Sequence, residues 1–225
     1  MNSKGTVAST SLSVGLATGV YAISFGALST VAGLNFWQTM ALSLLMFSGG
    51  SQFAFVGVVA SAGVAGLPGA IASAWLLGIR NGFYGLTMSK IAGARGLRKL
   101  VAAQLTIDES TAVALGQSES TAQRKGFWLT GMYVYIFWNS LTAVGVFAGS
   151  FIGDPKDWGL DAAAAAAFVG LVWPRLVDML SRTIAGGALV VAIICSTFMP
   201  AGWPVLTAGA FGAAVAFFSS KRGDR

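Results

Sequence analysis

Residues 37–59 read WQTMALSLLMFSGGSQFAFVGVV, an apolar run without a charge, broken near its middle by Ser48-Gly49-Gly50-Ser51-Gln52. The run lies inside a longer interval, from Lys4 to Arg80, that holds no Asp, Glu, Lys or Arg between its ends. A helix crosses ~30 Å of hydrocarbon with ~20 apolar residues, so this interval can cross two or three times. A soluble domain of this size could not bury three consecutive uncharged helices. The sequence therefore describes an all-α integral membrane protein.

Composition points the same way. Of 225 residues, 55% are hydrophobic and only 10% charged, against about 25% charged in soluble domains; the mean hydropathy is +0.73. Glycine is abundant at 30 residues. In lipid, packing rather than hydrophobicity drives helix association, and small residues let backbones approach. Gly15 and Gly19 have that spacing, as do Ala/Gly pairs within Ala208–Ala216. The net charge of +6 sits in short loops, where the positive-inside rule places it, so nucleic acid is not an expected partner. Cys195 is the one cysteine, which excludes an intramolecular disulfide framework. With no histidine, a His-bearing metalloprotease helix, a Ser-His dyad and His-ligated haem are excluded, and one Cys cannot build a thiolate metal site. No catalysis, metal or cofactor is expected.

Residues 1–13 read as an N-terminal tail, 14–219 as a single polytopic transmembrane domain, and 220–225 as a basic tail. Apolar segments fall at Val14–Leu34, Trp37–Val59, Leu67–Met88, Leu100–Gly116, Gly126–Phe151, Leu160–Pro174, Ile184–Met199 and Pro204–Ser219, with Arg80-Asn81-Gly82 interrupting the third. Ala27-Leu28-Ser29 resembles a signal-peptide cleavage site, but the apolar region before it is too long for one. Lys90, Arg95, Arg98 and Lys99, then Arg124 and Lys125, Arg175 and Arg182, and the C-terminal tail mark the cytoplasmic side. The loop Asp154–Asp161, with one Lys against three Asp, belongs outside.

Basic charge flanks Leu100–Gly116 on both sides, so a full crossing there would carry one cluster outside. This segment is expected to dip in or form a partial helix. The N-terminal third then holds either three spans with the N-terminus outside, or two spans plus a re-entrant hairpin broken at Ser48–Gln52; Lys4 favours the second. Six or seven spans result, with discontinuous or re-entrant segments.

Ionisable groups at membrane depth cost ~2.5–3.5 kcal/mol on insertion scales and usually face a cavity or one another. Arg80 follows a long apolar stretch; its guanidinium suits a substrate carboxylate held bidentately, or it snorkels to the interface. Asp108 and Glu109 could bind an ammonium group or take up a proton, or could sit at an exposed helix N-terminus. Ser48-Gly49-Gly50-Ser51-Gln52 could be a broken helix whose free amides receive a carboxylate, or a tight crossing that needs small residues. Trp138 and Asn139 are weaker leads.

Phe47-Ser48-Gly49-Gly50-Ser51-Gln52-Phe53, then Gly78-Ile79-Arg80-Asn81-Gly82-Phe83-Tyr84-Gly85-Leu86, then Asp108-Glu109-Ser110 resemble, in order and spacing, the large subunit of AzlC-type branched-chain amino acid exporters. Members often carry His where Asn81 stands. The resemblance implies a multi-pass permease of the bacterial plasma (inner) membrane, with its C-terminus cytoplasmic. It would export leucine, isoleucine, valine and often methionine, together with a small hydrophobic AzlD-type membrane subunit. On this expectation the substrate carboxylate meets Arg80 or the backbone at Gly49-Gly50, and its ammonium meets Asp108 or Glu109. Ser48, Ser51, Gln52 and Asn81 complete the polar surface, and Phe53, Phe83 and Tyr84 line the aliphatic side. A non-transporting assembly or regulatory subunit and a passive channel for small zwitterions are the alternatives.

Overall fold

The computed structural model describes residues 6–151, 169, 173, 176–200 and 203–223. Among them the regular structure is helical: α1 Val7–Val31, α2 Phe36–Leu45, α3 Gly49–Ala62, α4 Leu67–Ala92, α5 Arg98–Gln104, α6 Asp108–Leu115, α7 Ser120–Ser150, α8 Met179–Ser196 and α9 Trp203–Gly223. The stretches Val7–Val31, Gly49–Ala92, Ser120–Ser150 and Met179–Ser196 are long and apolar enough to cross a membrane, and Trp203–Ser219 is a shorter apolar helix. The chain is an all-α membrane protein. Apart from Val169 and Trp173, the expected segment Leu160–Pro174, with the Asp154–Asp161 loop and Arg175, lies outside the described residues.

Helices α1 and α7 form the backbone of the molecule, and they run parallel. Ser11 meets Thr130, whose hydroxyl donates to it at 2.9 Å. Gly15 then packs on Tyr133, Gly19 on Phe137, and Gly149 on Ala27 and Thr30. Gly26 and Gly145 press against the partner helix's backbone, at Thr142 and Ile23 respectively. The seam is made of small residues because dispersion contacts, which require close approach, hold helices together in lipid. α1 starts at Val7, with Thr6 as its cap, so half of the expected N-terminal tail is helix. The reason is Ser11: it is fully buried against α7, which extends the packed face below Val14.

Because α1 and α7 are parallel, both begin at the end where Arg124 and Lys125 lie. We call this the basic end. α4 runs the other way: its last turn is tied to the start of α7, where Arg124 Nε donates to the Ile91 carbonyl at 3.2 Å and Trp128 Nε1 to the Ala92 carbonyl at 3.2 Å.

Between these crossings lie two helical hairpins that stop halfway. The first is α2–α3. Phe36 stacks near Phe147 at the far end of α7, the Ser43 hydroxyl donates to Thr142 at 3.2 Å, and Phe47 meets Tyr135 at the midpoint of α7. The chain breaks at Met46–Ser48, and α3 returns along α4. A methyl group on Gly50 would touch Arg80, and one on Gly78 would touch Ser51. Gly49–Ala92 would be ~66 Å long as a single helix; instead a 3₁₀ turn at Gly63–Gly66, with Gly63 at φ +57°, folds it into α3 and α4. Arg80-Asn81-Gly82 does not interrupt α4, which is continuous to Ala92.

The second hairpin, α5–α6, enters from the basic end. It breaks at Leu105–Ile107, with Leu105 against Gly131, and α6 returns with Val113 against Gly126. This is the partial segment expected at Leu100–Gly116. The two tips touch: the Gln104 side-chain amide donates to the Leu44 carbonyl at 2.8 Å, capping an orphan carbonyl at the end of α2. A crossing helix followed by a half-depth hairpin thus occurs twice, once in each direction: α1 with α2–α3, then α4 with α5–α6. This is an inverted repeat. α8 and α9 follow as an antiparallel pair, Gly187 against Phe211 and Gly212 against Ile184, touching α4 where Gly209 meets Leu76.

Candidate functional site

The two tips enclose a cavity of about 70 Å³ at the centre of the repeat. The first hairpin contributes Phe47 to Gly50 and the second Ile107 to Glu109; α4 gives Arg80 and Asn81, α1 Thr18 and Tyr21, and α7 Val134 and Trp138. Each half-helix begins here. α6 carries Asp108 and Glu109 in its first turn, where their charge suits the positive end of the helix dipole. α3 carries no acid in its first turn and its N-cap residue, Ser48, makes no side-chain cap. The Ser48 hydroxyl accepts instead from the Ser51 hydroxyl at 3.2 Å. The first turn of α3 thus opens at the cavity without a cap from its own N-cap side chain, the arrangement that receives anions.

Arg80 adds to that positive field. Its guanidinium lies over Gly50, where a Cβ would come within 3.1 Å of Nη2; a larger residue there would have to displace the guanidinium by a few tenths of an ångström. Asp108 balances it: Arg80 Nε donates to Oδ1 at 3.0 Å and Nη2 meets Oδ2 at 2.9 Å. The pair is about three-quarters buried, with 27% and 24% of the two side chains exposed. Two further residues line the same space. Their Asn81 Oδ1 and Trp138 Nε1 atoms are buried and, among the described residues, have no hydrogen-bond partner.

Across the wall formed by Phe47, Ser48 and Asn81 lies a larger, mainly apolar groove of about 730 Å³, open to the outer surface, lined among others by Met46, Phe55, Ala74 and the exposed Ile71 and Trp75.

Of the residues expected from the sequence, Ser48, Gly49, Gly50, Arg80, Asn81, Asp108 and Glu109 gather at the central cavity, and Ser51 lines the larger one. Gln52 is drawn elsewhere: its amide donates to the Leu42 carbonyl at 3.0 Å and to that of Ser43 at 3.5 Å, closing the first hairpin. Phe53 is packed in the core against Tyr21 and Phe25. Phe83 faces outward, 67% exposed, in a stripe with Ile79 and Leu86, and Tyr84 is half-buried and lines neither cavity. Phe53, Phe83 and Tyr84, expected on the aliphatic side, thus line neither the central cavity nor the apolar groove. α4 is unbroken, so Phe83 lies about 200° round the helix from Asn81. Sequence reasoning missed Thr18 and Tyr21 and ranked Trp138 low; Tyr21, the one tyrosine of α1, was the available signal.

These features define a polytopic α-helical membrane protein with a charged site buried between two opposed re-entrant hairpins. The chain belongs to the AzlC family: the model described as AzlC protein matches residues 13–152, the stretch that holds both hairpins and α7. No curated protein and no solved structure matches the chain.

Proposed function

We propose that the protein is the large subunit of a secondary-active exporter of branched-chain amino acids (leucine, isoleucine, valine and often methionine). It works in the bacterial inner membrane with a small AzlD-type subunit, and its basic end and C-terminus face the cytoplasm. The observation that carries this reading is the convergence, in one cavity, of an uncapped helix N-terminus, Arg80 and the acidic first turn of α6. A zwitterion has the matching charges. Its carboxylate goes to the α3 amides and Arg80, and its ammonium to the side of Asp108 and Glu109.

Ligand pockets usually measure roughly 300–1,000 Å³, so a cavity of about 70 Å³ holds a head group and little more. The open apolar groove across the Phe47 wall offers a place for an aliphatic side chain. Two opposed hairpins meeting at mid-depth also suit alternating access, since each tip can withdraw toward its own side of the membrane. AzlC-family membership supports the same substrate class.

Cells fed a leucine-containing dipeptide test the reading. Removal of this protein should raise internal leucine, and restoring it should reverse the rise. Equal accumulation with and without it would reject export and favour a non-transporting subunit. Export that never saturates would favour a passive channel.

A further inference from the structure

Arg80 and Asp108 hold one another through both carboxylate oxygens, yet the guanidinium keeps further N–H donors and the carboxylate further lone pairs. That pair sets the local field, and neutral groups beside it can complete the contacts to a ligand. Asn81 Oδ1 and Trp138 Nε1 are the two buried polar atoms of the central lining that, among the described residues, have no partner. They differ in kind, since a carboxamide oxygen accepts and an indole nitrogen only donates. They also come from different helices, α4 and α7.

Buried polar groups are normally satisfied, and each exception calls for a ligand, an ion or a water. An amine alone would leave Trp138 unsatisfied, and a carboxylate alone would leave Asn81. A zwitterion satisfies both at once.

Position assigns the ends. Trp138 is only 3% exposed, and its ring lies so close to Gly49 that a methyl there would come within 3.0 Å. The benzo edge of the indole makes that contact, so the ring that carries Nε1 lines the α3 side of the cavity, where an anion belongs. Phe25 stacks on the ring at 6.2 Å and fixes it. Asn81 lines both cavities, so a ligand held there keeps its α-carbon at the wall and its side chain toward the apolar space. We propose that Trp138 Nε1 donates to the substrate carboxylate and Asn81 Oδ1 accepts from its ammonium, which makes these two residues the readers of an α-amino acid. This rests on the export reading and names the binding residues of the same site.

The test uses inside-out membrane vesicles from cells producing the full chain with its partner subunit. Uptake of labelled leucine is measured against two competitors: leucinamide, which lacks the carboxylate, and 4-methyl-2-hydroxypentanoate, which lacks the ammonium. Trp138→Phe keeps the ring and removes the donor. It should raise the KM for leucine about tenfold and shrink the preference for leucine over leucinamide by a similar factor, with the preference over the hydroxy acid retained. Asn81→Leu should do the reverse, and Asn81→Asp, which keeps an acceptor in the same volume, should strengthen competition by leucinamide. Wild-type preference ratios in Trp138→Phe and Asn81→Asp would overturn the assignment, as would loss of both preferences together in each. No leucine uptake by wild-type vesicles would instead reject export itself.

Discussion

Arg80 and Asp108 are held as a bidentate pair with about a quarter of each side chain exposed. Removing either partner leaves the other charged in partial isolation. Asp108→Asn or Arg80→Gln should each lower stability by about 1–3 kcal/mol. That is less than the ~3–5 kcal/mol seen when a fully buried pair is broken, because solvent screens this one. The double variant should recover part of the loss, as read from melting temperatures in detergent; additive losses would contradict a direct pair. Gly50 acts through the same arginine. Gly50→Val should push the guanidinium aside and reduce leucine efflux about tenfold, a loss of roughly 1.4 kcal/mol, while the protein still inserts. Charges and paired glycines stand out against apolar sequence, so Arg80, Asp108 and Gly49-Gly50 were legible at this scale. Trp138 and Tyr21 were not, because an aromatic on an apolar helix suits a lipid-facing position equally well. Only the opposite hairpin tip makes them part of a site.

The hairpins depend on contacts between elements. Gln104 ties one tip to the other through the α2 carbonyls. Gln104→Leu should cost about 1 kcal/mol, the net value of one such bond, and should speed labelling of a cysteine placed at Met46. An unchanged rate would mean that the tip contact does not hold the cavity closed. The α1–α7 seam tolerates less. A side chain on Gly145 would meet the backbone of Ile23, and backbone cannot rotate away. Gly145→Leu should therefore exceed the about 1–3 kcal/mol typical of overpacking and abolish accumulation of the protein in membranes, measured by immunoblot.

Partial crossings were readable from the sequence where charge forbade a full one, as at Leu100–Gly116. The break in the first hairpin was read at the glycines, yet it falls just before them, at Met46–Ser48. Gly49 and Gly50 open a helix instead of ending one. They are small because Trp138 and Arg80 press on them, and a single sequence carries no record of that pressure.

At the scale of the molecule, the inverted repeat had no visible sequence counterpart. The two hairpins differ in length, α2 and α3 having 10 and 14 residues and α5 and α6 having 7 and 8, and they share direction and depth, not side chains. The topology still makes a firm prediction. Val64 and Leu97 are each 82% exposed and lie at opposite ends of α4. In a Cys195→Ala background, cysteines at these positions should react with a membrane-impermeant maleimide from opposite sides of the membrane, Leu97 from the cytoplasm. Labelling of both from one side would overturn the inverted arrangement.

On the proposed function, a polar chamber between two half-depth hairpins holds an aliphatic amino acid. Protection of Ser48→Cys in the same cysteine-free background tests it most directly, because Ser48 lies in the wall between the two cavities. Saturating leucine should slow modification by a small permeant thiol reagent severalfold, with a cysteine at Val64 unaffected. Equal modification rates at Ser48→Cys with and without leucine, in protein that still exports it, would place the substrate elsewhere.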